Sequence, residues 1–279
     1  MTTTLAAPAA RTNTLSARTG FATMMKAEWI SLSSLRGNII ALIIGVFLVV
    51  APAAGFAFLY GKDVQGASGD LSQVPWAPSI ANLSGQGLMF AIAVAALVGA
   101  AAIAKEHSTG SLRTTLTAAP RRFTLIAAKA TVVAVTVFVS AVVALLLAFL
   151  AALAIGSIFG LPVGIENAFF DLVLPIIGGG IFAAATAVFA LGLGALLRSE
   201  TWAVTFSLVV LYVLPIIIMT LPWSWAHDVY DVMLFNTGST IAGPIEAFTG
   251  DYVIDLVITL AWAGVAFFGG AAVMNRKDA

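Results

Sequence analysis

His227, Asp228 and Asp231 are the residues whose types and spacing come nearest to a chemical site in this sequence. His227 and Asp231 stand about one helical turn apart and could face a shared metal ion. Zinc ordinarily takes three or more protein ligands, and the other histidine, His107, lies far away in the sequence among polar neighbours. The expectation is therefore a wet acidic loop without metal, and a solvated side chain for His107. No Ser–His or paired-carboxylate arrangement with credible spacing occurs, so the chain is not expected to be an enzyme. It contains no G-x-x-x-x-G-K-S/T loop and cannot hold ATP through that motif. The absence of cysteine excludes disulfides, thiolate metal sites and cysteine nucleophiles. Asn82-Leu83-Ser84 matches a glycosylation acceptor, a tripeptide short enough to arise by chance.

What remains is electrostatic. The stretch Lys105–Lys129, KEHSTGSLRTTLTAAPRRFTLIAAK, carries Lys105, Arg113, Arg121, Arg122 and Lys129 against one acid, Glu106. Ser108 or Thr109 could cap a short helix with Leu112, Leu116 and Ala119 on one face, and Pro120 breaks it before the next apolar run. An apolar ridge with a basic rim suits docking by a partner protein; binding of lipid headgroups is the other use of such residues.

The elements that must position this stretch follow from composition. Of 279 residues, 61% are hydrophobic and 9% charged, with a mean hydropathy of +1.04. A soluble domain would carry roughly a quarter charged residues, so this is an all-α, polytopic membrane protein. Apolar runs near the roughly 20 residues needed to cross a bilayer predict spans at about 38–60, 85–104, 130–155, 172–197, 202–221 and 253–274. The net charge of zero hides a strong asymmetry. Arg11, Arg18, Lys26, Arg36, the five bases of the opening stretch, Arg198, Arg276 and Lys277 fall on one side of the membrane, and Lys62 alone on the other. The second side instead holds Asp63, Asp70, Glu166, Asp171, Asp228, Asp231, Glu246 and Asp251. Basic loops stay inside, which predicts both termini in the cytoplasm. Tyr60, Trp202, Trp223, Trp225 and Tyr252 sit at headgroup-level positions. Trp262 falls mid-span and is expected to be a packing or cavity residue.

Residues 1–20 are rich in Thr, Ala and Ser and lack acids. No apolar core follows at signal-peptide distance, so a disordered cytoplasmic tail without cleavage is expected. Residues 21–36 predict an amphipathic helix lying in the inner interface, with Phe21, Met25, Trp29, Leu32 and Leu35 on one face and Lys26 and Ser33 away from it. Glu28 falls inside that stripe, where a lone carboxylate is costly. It either snorkels to water or meets a specific arginine, Arg113 or Arg121.

Small residues mark the fourth span, at Gly178–Gly180, Ala183, Ala187, Gly192 and Gly194, and predict close helix approach. Pro52, Pro175 and Pro215 predict kinks or ends. In the long outer segment 222–252, Val229, Met233 and Leu234, then Ile241, Ile245 and Phe248, predict short amphipathic or re-entrant pieces. No ionisable residue lies deep within the spans as drawn, Asp255 coming closest, which argues against an ion-coupled carrier.

KAEWISLSSLRGN (26–38) and IAKEHSTGSLRTTLTAAPRRFTLIAAK (103–129) resemble the ABC-2 type permease family of actinobacterial ABC transporters. The number and placement of spans agree over 21–275, and the resemblance implies an ABC-2 type transmembrane domain over 21–279. It implies a connecting helix holding Glu28 and Trp29, and a coupling region holding Glu106, Gly110, Arg113, Leu116, Pro120 and Arg121. Ser31 and Ser33 depart from the basic residue such sequences often carry after the Trp. It also implies pairs of permeases, a second copy or a paralogue, bound to two ATP-binding cassette ATPase subunits. These, and not this chain, would hold ATP and Mg; no nucleic-acid partner is expected. The reading is then a permease of the bacterial cell membrane exporting an amphipathic small molecule, lipid or peptide. The alternatives are a secondary transporter and a non-transporting scaffold or immunity-type membrane protein.

Overall fold

The computed structural model describes residues 20–34, 36–67, 79–109 and 122–277, with only the backbone described at 104–109, 122 and 275–277. All regular structure among them is helical. Six stretches are long and apolar enough to cross a membrane: Arg36–Gly66, Ile80–Ile103, Phe123–Ile158, Phe169–Leu197, Glu200–Met219 and Gly250–Met274. Each of the six predicted spans is there, and several run longer than predicted. Of the predicted tail, only Gly20 lies among the described residues.

Helix α1 (Phe21–Ser34) precedes α2 (Arg36–Gly66), which carries Pro52 inside it instead of ending there. The short α3 (Ile80–Ser84) is capped by Ser79, whose hydroxyl accepts from the Asn82 N–H at 3.3 Å. Its start is tied to the loop after the third span by Ile80 N–H to Pro162 O, 2.9 Å, and Ala81 N–H to Val163 O, 3.2 Å. Gly164 turns that loop at φ +68°, against Ser79, where a Cβ would have no room. Helix α4 (Leu88–Thr109) continues through Ser108 and Thr109, which were expected to cap a new helix.

Helix α5 (Arg122–Ile158) has 37 residues, about 55 Å at 1.5 Å per residue. That exceeds a hydrocarbon core of about 30 Å, so the helix overshoots the bilayer. Its start at Arg122 moves the third span's beginning to Phe123, ahead of the predicted 130, and puts Lys129 inside a helix instead of in a loop.

The two later prolines leave a regular signature. Before Pro175, the five residues Phe169–Val173 form a π turn in which Leu174 N–H reaches Phe169 O. Helix α6 (Leu174–Leu197) then begins with Pro175 at its second position. Helix α7 (Glu200–Leu208) is joined in the same way to α8 (Leu214–Met219): Val209–Val213 is a π turn, Leu214 N–H reaches Val209 O, and Pro215 follows. A proline in a continuous α-helix lacks its N–H and clashes with the carbonyl four residues back. The wider turn accommodates both defects and lets the span continue.

Helix α6 is the central element. It packs against α4, α5 and the last helix, α11 (Gly250–Lys277). Its contact partners approach at backbone distance: a Cβ on Gly99 of α4 would lie 2.0 Å from Ala187 O, and one on Gly192 would lie 2.3 Å from the Ala266 carbonyl carbon. Between α8 and α11 the outer segment folds into α9 (Ser224–Asp231) and α10 (Leu234–Ile241). Leu234, Thr237, Gly238 and Ile241 are buried, with Gly238 against the Phe182 ring and Gly178 against Ile241 O. The Thr259 hydroxyl donates to that of Thr237 at 2.9 Å. Trp262 donates to Val232 O at 2.9 Å and meets the Phe189 ring edge-on, so its mid-span position is a packing one, as expected.

The bundle has two chemically distinct ends. Phe123 stacks on Phe268, and Gly194 meets Ile103, which gathers α1 and the start of α5 with the ends of α4, α6 and α11. That end carries Lys26, Arg36, Arg198, Arg276 and Lys277. At the other end Gly61 meets Phe159, and Phe248 packs on Phe169 and Phe170. It carries Asp63, Glu166, Asp171, Asp228, Asp231, Glu246 and Asp251, with Lys62 as the exception. Both described chain ends lie at the basic end.

Candidate functional site

At the basic end, α1 lies against α5. Its buried residues are Met24, Glu28 and Leu32, at i, i+4 and i+8, while Phe21 and Trp29 are exposed. One helix face thus divides into two sectors. The predicted stripe runs across both: Leu32 turns to protein, and Phe21 and Trp29 turn outward. Glu28 belongs to the protein-facing sector. Its Oε2 receives Lys129 Nζ at 2.5 Å, with the two side chains 11% and 6% exposed. Neither expected fate is realised, since the carboxylate is buried and its partner is a lysine, not Arg113 or Arg121.

The sequence does not expose this pairing, because Lys129 reads there as part of the loop between the second and third spans. Lys129 stands seven residues from the start of α5, about 10 Å along the axis, inside the stretch Phe123–Ile158 that is apolar enough to cross a membrane. A buried ion pair there joins α1 to the third span. Of the coupling residues, Glu106 lies in the backbone of the last turn of α4. Gly110, Arg113, Leu116, Pro120 and Arg121 lie outside the described residues.

At the acidic end a cavity of about 300 Å³ opens between α3, the π turn before α6, and α10. Its apolar wall includes Leu88, Ile92, Leu145 and Phe182, all buried. Its rim carries Asn82, Gln86, Asp171 and Ser239. The Asp171 Oδ2 accepts the N–H groups of Glu166 and Asn167 at 2.8 and 2.7 Å, closing the loop that leads into the π turn. Tyr212, whose hydroxyl donates to Met89 O, packs on Phe235 beside the cavity. Asp171 and Pro175 each stand out in the sequence, as an outer acid and as a kink or helix end. Their convergence with Asn82 and Ser239 depends on contacts distant in the chain and left no periodic signal.

Comparison with protein families gives a match to the family described as ABC-2 family transporter protein over residues 24–214, from α1 to the start of α8. The match includes both Glu28 and Lys129. Comparison with curated proteins gives no match.

Proposed function

This chain belongs to the ABC-2 family of transporter proteins, and from that premise we propose that it is an exporting permease driven by ATPase subunits docked on residues 105–120. Membership makes it the membrane-embedded, multi-pass permease component of an ABC transporter. The proposal adds the direction of transport, the docking stretch, a pair of permeases with two ATPase subunits, and the bacterial cell membrane with both termini inside. The family match carries it.

The mechanism rests on connections at the basic end. ATP binding would close the two ATPase subunits, and their movement would push on 105–120. That stretch lies between α4 and α5 in the chain. Through Glu28 and Lys129 the start of α5 is fastened to α1, so a push would move α1 and α5 as one unit. Such a rigid-body switch needs a ligand whose binding energy differs between states, here ATP. An amphipathic small molecule, lipid or peptide is the proposed cargo.

Co-purification of the tagged chain with its ATPase is the direct test. Arg113→Glu and Arg121→Glu are expected to weaken ATPase association by about tenfold each, with membrane insertion intact. Normal association in both variants would overturn docking at this stretch.

A further inference from the structure

We infer that the cavity at the acidic end is a binding site for a small amphiphilic amine, held with its apolar body inside and its cationic group at the rim. As a cargo site this rests on the permease reading; as a binding site it stands without it.

The cavity arises where three irregular features meet. These are the Gly85–Gly87 turn after α3, the π turn that accommodates Pro175, and the end of α10 at Ala242–Pro244. None can close on the others by regular helix packing. The volume of about 300 Å³ stands at the small end of ligand sites, about 300–1,000 Å³, and fits a compact ring system better than a peptide or a two-chain lipid.

The distribution of polarity sets the orientation. Ile92 and Phe182 are 1% and 0% exposed and supply an apolar floor. Among the described residues, none donates to Asp171 Oδ1, and the side-chain amides of Asn82 and Gln86 have no protein partner. The rim therefore offers a carboxylate oxygen and two amides to an arriving ligand. Among the described residues no Lys, Arg or His lines the cavity, and Glu166 stands next to the Asp171 loop. A carboxylate or phosphate ligand would meet uncompensated negative charge, whereas an ammonium group gains a charge-assisted hydrogen bond.

The test uses the purified chain in phosphatidylcholine nanodiscs, without ATPase, and two fluorescent probes of similar shape, naphthylmethylamine and naphthoate. The amine is expected to bind saturably and at least about tenfold more tightly than the carboxylate. Asp171→Asn, which retains an acceptor for the two loop N–H groups, should abolish that preference. Ser239→Trp, at an exposed position on α10, should block both probes by filling the mouth. Equal binding of the two probes, a preference unchanged in Asp171→Asn, or binding unchanged in Ser239→Trp would each overturn the site. Failure to recruit an ATPase while amine binding persists would instead remove the permease mechanism and leave the cavity assignment standing.

Discussion

Glu28 shows how one carboxylate can be both a cost and a fastening. Helix α1 buries little besides Met24, Glu28 and Leu32, so among the described residues a small apolar contact and the buried Glu28–Lys129 ion pair hold it. Removing one member of such a pair typically costs about 3–5 kcal/mol, because the other charge is left uncompensated, while replacing both by neutral groups is often tolerated. Here the loss has an upper limit, since a peripheral helix can detach and return its carboxylate to water. We predict that Lys129→Met releases α1 without unfolding the bundle. In the naturally cysteine-free chain, Met24→Cys should react with maleimide several times faster in the Lys129→Met background. Adding Glu28→Gln should return labelling toward that of the parent. Fast labelling in the double variant as well would mean that packing, not charge, holds the helix.

At the scale of elements, the glycines of α4 and α6 separate two uses of one residue. Gly192 has the Ala266 carbonyl carbon 2.3 Å from where a Cβ would stand, whereas Gly264 on α11 has nothing within 4 Å. Gly192→Ala therefore forces α6 and α11 apart, an overpacking loss of about 1–3 kcal/mol. Gly264→Ala should be neutral or stabilising by up to about 1 kcal/mol, because it removes backbone freedom from the unfolded chain. Thermal unfolding in detergent should lower the midpoint in the first and hold or raise it in the second; equal shifts would refute the contact. The small-residue pattern of the fourth span announced this packing, since periodicity and residue size act locally. The partners were not legible, because the contacts of Gly178 with Ile241 O and Gly238 with Phe182 join residues 63 and 56 positions apart in numbering. The prolines were legible as defects, but the π turns that absorb them were not, since a sequence does not reveal which carbonyl a displaced N–H will find.

For the whole molecule, the decisive feature is the separation of charge between the bundle's ends. Six apolar runs in a linear sequence are compatible with several packings, yet α1, the start of α5 and the end of α11 come together at the end that carries nearly all the described bases. Most of the described acids lie at the other, where Asp171 stands at the cavity. That separation was readable from loop composition alone, because orientation depends on where bases fall and not on how helices pack. The Glu28–Lys129 pair and the cavity were hidden because each needs two or more elements in register. Orientation can be tested independently of both. Single cysteines at Thr115 and at Ser239, on opposite sides of the proposed bilayer, should respond oppositely to an impermeant maleimide. We predict labelling at Ser239→Cys in intact cells, and at Thr115→Cys only after the membrane is permeabilised, with at least about a tenfold difference in each case. The reverse pattern would put residues 105–120 where no ATP-hydrolysing subunit could reach them. It would also turn the acidic cavity toward the cytoplasm, making it an entry site for an amine and not an exit.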